Sequence, residues 1–129
     1  MAVQLNHTIA HARDPLASAT FVTEVLGLDP PTYYAPFHVV ELDNGASIDF
    51  LGAGDHPIAA LHYAFLVTDD EFDAIFGRIQ ERGLEYWADP HKNRPGEVND
   101  HDGGRGVYWD APDGHLLEII TVPYGGWPD

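Results

Sequence analysis

Leu5-Asn6-His7-Thr8-Ile9-Ala10, with Asp14-Pro15 just beyond it, is the stretch on which the fold turns, because the chain carries it twice. Slid along itself by 55 positions, the sequence places His7 on His62 and Asp14 on Asp69, and one inserted residue then brings Gly27 onto Gly83. The second copy reads Leu61-His62-Tyr63-Ala64-Phe65-Leu66-Val67, followed by Asp69-Asp70-Glu71. Each copy is an apolar, β-prone run and then an acidic helix opening, so each reads as strand followed by helix. The ends of the two halves match as well. Asn44-Gly45-Ala46-Ser47-Ile48-Asp49-Phe50 aligns with Asp113-Gly114-His115-Leu116-Leu117-Glu118-Ile119. Both start with a dipeptide compatible with a type I′ turn and lead into a strand that bears a carboxylate.

The helices have physical start and stop signals. In the first, Asp14 caps, Pro15 takes the first helical position, and Leu16, Ala19, Val22 and Leu26 are the expected buried stripe, ending at Gly27. In the second, Thr68 and Glu71 have capping-box spacing, Phe72, Ile75, Phe76 and Ile79 fall at i, i+3, i+4 and i+7, and Gly83 is the stop. Three strand-like stretches follow each helix, around 32–34, 37–42 and 46–51, then around 85–87, 106–109 and 115–122. Each half is therefore expected to be β-α-β-β-β, with module 1 at about 1–54 and module 2 at about 55–129 of one domain. Gly52-Ala53-Gly54-Asp55-His56-Pro57 reads as the linker. Residues 89–104, rich in Pro, Gly, Asn and Asp, read as a long structureless loop, a type of segment that is often a lid or binding loop.

Composition narrows the function classes. The 129 residues suffice for one real core but not for two ordinary independent domains, and 44% apolar residues exclude a disordered chain. Acidic residues number 21 against 6 basic ones, so a net charge near −15 repels nucleic acid and anionic membranes, and neither is expected as a partner. Met1-Ala2-Val3-Gln4 lacks a basic, apolar leader and no apolar run is long enough to span a bilayer. The absence of cysteine excludes disulfides and thiolate chemistry and fits the cytoplasm, the expected location.

The chemistry-bearing residues lie on the repeated strands. Period-two alternation puts His7, Ile9 and His11 on one face of the first strand and His62, Ala64 and Leu66 on the matching face of its counterpart. Glu118 sits in an apolar strand, sharing a face with Leu116 and Ile120, where a carboxylate is costly to bury unless it is paired or binds a metal. A lone strand histidine is ordinarily a hydrogen-bonded structural residue, and a lone carboxylate is ordinarily salt-bridged. Here two histidines at equivalent positions of a duplicated module coincide with a carboxylate on a closing strand. Two imidazoles and one carboxylate form the facial triad that leaves coordination positions open, a donor set suited to Fe, Mn, Ni, Co or Zn. His11 reads as packed or supporting, His115 as structural in its turn, and His38, His56 and His91 add no useful spacing. His101, beside Asn99 and Asp100, reads either as an exposed loop histidine or as a lid residue donating a proton. Of Tyr108 and Trp109, alternation turns one towards the site face.

The paired modules, His7, His62 and the run Gly103-Gly104-Arg105-Gly106-Val107-Tyr108-Trp109-Asp110-Ala111-Pro112-Asp113-Gly114-His115-Leu116-Leu117-Glu118-Ile119 resemble the vicinal oxygen chelate superfamily over essentially the whole chain. That group includes glyoxalase I, extradiol dioxygenases, fosfomycin-resistance thiol transferases and bleomycin-binding proteins. The resemblance implies an α+β fold in which two modules pair into a cupped, mostly antiparallel mixed sheet around a divalent metal held by His7, His62 and Glu118. It also implies a small-molecule substrate and a homodimer. Asp49 is the departure, because glyoxalase-like members carry a fourth ligand there, usually glutamate. One methylene shorter, Asp49 reads as a ligand, a water-mediated ligand or a supporting base. Fosfomycin-type transfer needs cations around a phosphonate, and only Lys92, Arg94 and Arg105 lie near the loop. The expectation is an Fe(II)- or Mn(II)-dependent dioxygenase acting on a vicinal-oxygen substrate. The alternatives are a glyoxalase-like isomerase or thiol transferase using Ni, Zn or Mn, and a non-catalytic antibiotic binder.

Overall fold

A computed structural model describes residues 3–128, so Met1 and Ala2 of the opening stretch lie outside the described residues. The chain divides between Ala59 and Ala60 into two compact units. The first contains β1 (His7–Ala12), α1 (Pro15–Leu26), β2 (Thr32–Tyr34), β3 (Phe37–Glu41) and β4 (Ser47–Gly52). The second contains β5 (His62–Leu66), α2 (Asp69–Glu81), β6 (Tyr86–Trp87), β7 (Gly106–Asp110) and β8 (Leu116–Ile120). The sheets run β1-β4-β3-β2 and β5-β8-β7-β6. In each, the first and last strands of the unit pair in parallel and the other neighbours are antiparallel. The result is two mixed four-stranded sheets, neither closed, each with one helix: the α+β architecture expected from the repeat.

Register carries the duplication to individual residues. His7 pairs with Ser47 and Ile9 with Asp49; His62 pairs with Leu116 and Ala64 with Glu118. In both units, therefore, the first-strand histidine lies one side-chain step along the same face from the carboxylate of the closing strand.

The helix starts follow the sequence signals. Asp14 accepts from the Ala17 N–H at 3.0 Å with Pro15 behind it, and Gly27 ends α1 with φ 73°. Thr68 and Glu71 form a reciprocal capping box at 3.2 and 2.8 Å. The apolar face of α2 buries Phe72, Ile75 and Ile79, with Phe76 half-buried and set edge-on to Tyr86. Emptying a buried aromatic site such as that of Phe72 costs about 3–5 kcal/mol.

Three expectations need correction. The buried face of α1 is Ser18, Ala19, Val22, Thr23 and Val25, whereas Leu16 is 52% exposed. The expected stripe drifted round the helix, and the actual face is made of small and β-branched residues that let α1 lie close to its sheet. The turns before β4 and β8 are not two-residue type I′ turns. Leu42 N–H bonds to Ala46 C=O and Ala111 N–H to His115 C=O, at 2.9 and 2.8 Å, which encloses three residues in each loop. Gly45 and Gly114 hold the last loop position at φ 87° and 82°, as three-residue hairpin loops require. Finally, residues 89–104 are organised. Asp89 accepts from the N–H groups of Asn93 and Arg94, buried Asn99 donates to Ala88 C=O at 2.8 Å, and a short 3-10 turn spans His101–Gly103. Local side-chain capping by Asp and Asn supplies the backbone bonds that regular structure otherwise would. No helix among the described residues is long and apolar enough to cross a membrane.

Candidate metal centre

Alternation along β8 buries Leu117 and Ile119 on one face and sends Leu116, Glu118 and Ile120 to the other. On that second face Glu118 is flanked by Ala64 of β5 and Tyr108 of β7. Alanine at position 64 leaves the space across which His62, one step along, reaches the carboxylate, with His62 Nε2 3.0 Å from Glu118 Oε1. Glu118 is 0% exposed whereas the His62 side chain is 44% exposed, so a buried carboxylate meets the half-open edge of an imidazole. The Tyr108 ring stacks on His62 with centroids 5.9 Å apart.

His62 stands between two hydrogen-bond acceptors. Nδ1 lies 3.0 Å from the Leu116 carbonyl, which only accepts, and Nε2 faces a carboxylate, which when ionised also only accepts. A neutral imidazole has one N–H, which satisfies one of these partners and leaves the other opposed to a lone pair. Two arrangements resolve the conflict: a proton held between Nε2 and Glu118, on either group, or an Nδ1–H imidazole whose Nε2 and the carboxylate share a metal cation. The second is the way a metal-binding histidine is ordinarily oriented, with its far N–H fixed on a carbonyl. His115 shows the contrast. It is buried, and its Nδ1 accepts from the Leu61 N–H at 3.0 Å, a bond that requires a lone pair there and marks a structural role.

Two phenols complete the site. Tyr124 Oη lies 2.7 and 2.6 Å from the two oxygens of Glu118, and 3.2 Å from Tyr108 Oη. Burial, then the bonds to Tyr124 and Glu118, push the Tyr108 phenol well above its ordinary range; burial and the bond to Glu118 raise that of Tyr124. Both are therefore hydrogen-bond donors and not bases. Trp109 points the other way, fully buried with Nε1 lacking a partner, so Tyr108 is the aromatic residue on the site face.

The sequence-predicted residues are distributed as follows. His62 and Glu118 are brought together in the second unit. His7 is exposed on β1 of the first unit, with Nδ1 2.7 Å from Asn6 Oδ1. Asp49, half-buried on β4, accepts from Ser47 Oγ at 2.7 Å. His101 is exposed in the 3-10 turn, its N–H 3.3 Å from Asn99 Oδ1. Among the described residues, no three His, Asp or Glu side chains gather into one metal-competent group. Sequence reasoning missed Tyr124. Its signal was the turn-forming run Pro123-Tyr124-Gly125-Gly126, which lies beyond the repeat and has no counterpart in the first half. A cavity of about 690 Å³ lies near the ends of β5 and β8, lined by Leu66, Thr68, Arg105, Thr121, Val122 and Trp127 among others, and does not reach Glu118. The cations named beside the loop are all paired: Lys92 with Asp110, Arg94 with Glu97, and Arg105 with Asp69 and Asp73.

An imidazole nitrogen and a buried carboxylate oxygen aimed at one point suit a divalent transition metal. The sequence matches the model of the Glyoxalase/Bleomycin resistance protein/Dioxygenase superfamily over residues 4–119, and the chain belongs to that superfamily. Members of this superfamily typically depend on a divalent metal and act on small molecules. Within it, the chain is 62% identical to the solved structure named oxidase ChaP-H1, with 97% of this chain and 100% of that one covered and a TM-score of 0.94. Oxidase ChaP-H2 is 56% identical, with 98% of each chain covered and a TM-score of 0.94. The metallothiol transferase FosB of Shouchella clausii (strain KSM-K16) is 35% identical over 60 residues, 46% of this chain and 37% of that protein. The match thus spans little more than a third of that curated relative.

Proposed function

We propose that the protein is a metal-dependent oxidoreductase of dioxygenase type, acting as a single domain on a small substrate that presents two neighbouring oxygens. The observation that carries this reading is the pair of acceptors facing His62. With Nδ1–H committed to the Leu116 carbonyl, Nε2 and Glu118 converge on a position that calls for a cation. The likeness to two proteins named oxidases over nearly the whole chain supports oxidation as the reaction class. In this reading His62 and Glu118 hold the ion, with His7 of the first unit as third ligand. Fe(II) is the favoured ion, with Mn, Ni, Zn or Co suited to the same donors. When bound, such an ion supplies Lewis acidity and a template that brings substrate oxygens and O2 together.

The chain's own residues then orient and donate. Tyr108 and Tyr124 keep their phenolic protons and act as hydrogen-bond donors around Glu118, Tyr124 directly and Tyr108 through Tyr124. Asp49 and His101 are the groups available to move a proton at the substrate's edge, Asp49 from its carboxylate and His101 from its exposed imidazole. The protein is proposed to work as a cytoplasmic homodimer. A second reading, thiol transfer, is favoured by the partial match to the metallothiol transferase, but it requires free cations for an anionic substrate, and Lys92, Arg94 and Arg105 are each already bound to carboxylates. Anaerobic loading with Fe(II), then oxygen-electrode measurement with catechol-type diols, separates the two. The expected result is substrate-dependent oxygen uptake that vanishes in His62→Ala. No uptake, together with metal-dependent consumption of a thiol co-substrate, would overturn the oxidase reading.

A further inference from the structure

We infer that Tyr124, presented by the C-terminal turn, is a positioning residue that orients the Glu118 carboxylate for metal binding. The inference rests on the metal reading of His62 and Glu118 but on a separate observation. A fully buried carboxylate has both its oxygens within 2.6 and 2.7 Å of a single phenol oxygen whose residue is 61% exposed. The only proton Tyr124 can offer is therefore shared between the two oxygens while nothing else occupies them. When Oε1 turns to a ligand shared with His62 Nε2, the same hydroxyl keeps Oε2 without moving. That arrangement selects a one-oxygen mode for Glu118 and fixes the plane of its carboxylate. Tyr108, at 3.2 Å, can in turn donate to Tyr124 Oη and hold that hydroxyl's direction.

The backbone is built to place this phenol. Gly126 N–H bonds to Pro123 C=O at 2.8 Å, closing a turn with Tyr124 and Gly125 as its central residues, and Gly125 has φ 82° where a type II turn requires a positive value. Gly125 N–H then bonds to Asp102 Oδ2 at 3.0 Å, tying the tail to the 3-10 turn of the long loop. Carboxylate ligands depend on such supporting hydrogen bonds, and losing one typically costs about 10–100-fold in metal affinity.

The test is Co(II) titration of the full chain, read by calorimetry and by the visible ligand-field bands, for wild type, Tyr124→Phe and His62→Ala, with melting of the metal-free proteins alongside. The inference predicts that Tyr124→Phe weakens Co(II) binding by about tenfold or more. The metal-free variant should still fold, melting somewhat below wild type as a buried carboxylate loses a donor, and its ligand-field bands should change as Glu118 changes mode. An unchanged affinity and spectrum overturns the inference and leaves the metal reading standing. A tighter affinity also overturns it, since Tyr124 would then be a competitor for the carboxylate. If wild type binds no Co(II), or His62→Ala binds it equally well, the metal reading falls and the inference falls with it. Should Tyr124→Phe fail to fold, Asp102→Ala loosens the tail while keeping the phenol. A weakened affinity there supports the inference and an unchanged one overturns it.

Discussion

Strands β4 and β8 hold their carboxylates at the same register and treat them differently. Asp49 lies opposite Ile9 and Val39, half-buried, and takes the hydroxyl of Ser47 two residues before it on its own strand. Glu118 lies opposite Ala64 and Tyr108, fully buried, and takes an imidazole and a phenol from other segments. The register equivalent of Ser47 is Leu116, which has no hydroxyl to offer and whose carbonyl instead fixes His62. The hydroxyl that satisfies Asp49 locally is thus missing beside Glu118, which takes its partners from β5 and from the C-terminal turn. Duplication supplied two equivalent positions, and the side chains around them tie Asp49 to its own strand and leave Glu118 as the candidate ligand.

The comparison breaks first at Glu118. Glu118→Gln keeps the volume but removes the charge, and divalent-metal affinity measured by calorimetry should fall by more than about 100-fold, beyond the range of supporting groups. Affinity kept within tenfold of wild type would place the ion elsewhere. Asp49→Asn is the counterpart on β4. With Asp49 already bound to Ser47, it should change metal affinity by less than about threefold, well under the effect of losing a supporting bond. A loss matching that of Glu118→Gln would make Asp49 a fourth ligand and erase the asymmetry.

The smallest effect expected concerns the helices. α1 starts on Asp14 alone, whereas α2 starts on the two-way bond of Thr68 and Glu71. Thr68→Ala should cost about 1 kcal/mol in denaturant unfolding. The backbone and side-chain bonds from Thr68 hold Glu71 below its ordinary carboxylate range. A lowered folded value means that this contribution is present above the unfolded value near 4.5 and is lost as pH falls through the folded one. The gap between wild type and Glu71→Gln should therefore narrow on acidification below about pH 4.5. A gap that widens there would contradict the capping assignment.

Much of this was legible in the sequence because duplication doubles every signal. His7 with His62 and Asp49 with Glu118 revealed the β-α-β-β-β order and which strand faces matter. Local chemistry also read well where one residue decides it, as at Asp14, Thr68 and Gly27. What failed was what packing decides. The stripe of α1 depends on how closely its sheet approaches, so periodicity alone puts Leu16 inside whereas it lies outside. The long loop looked structureless because its order comes from Asp89 and Asn99 side chains bonding to backbone, a pattern with no periodicity. Tyr124 was invisible for a related reason: its role comes from a turn outside the repeat that folds back over β8, and nothing in the spacing of the sequence marks that return.

The metal content of the purified protein is the most direct measure of the central claim. Fe(II) is loaded anaerobically, excess is removed, and bound iron per chain is determined by elemental analysis for wild type and His62→Ala in parallel. The account predicts close to one ion per wild-type chain and almost none in the variant. Near-zero bound metal in wild type after loading with each suited ion in turn, or equal iron in the two proteins, would contradict it.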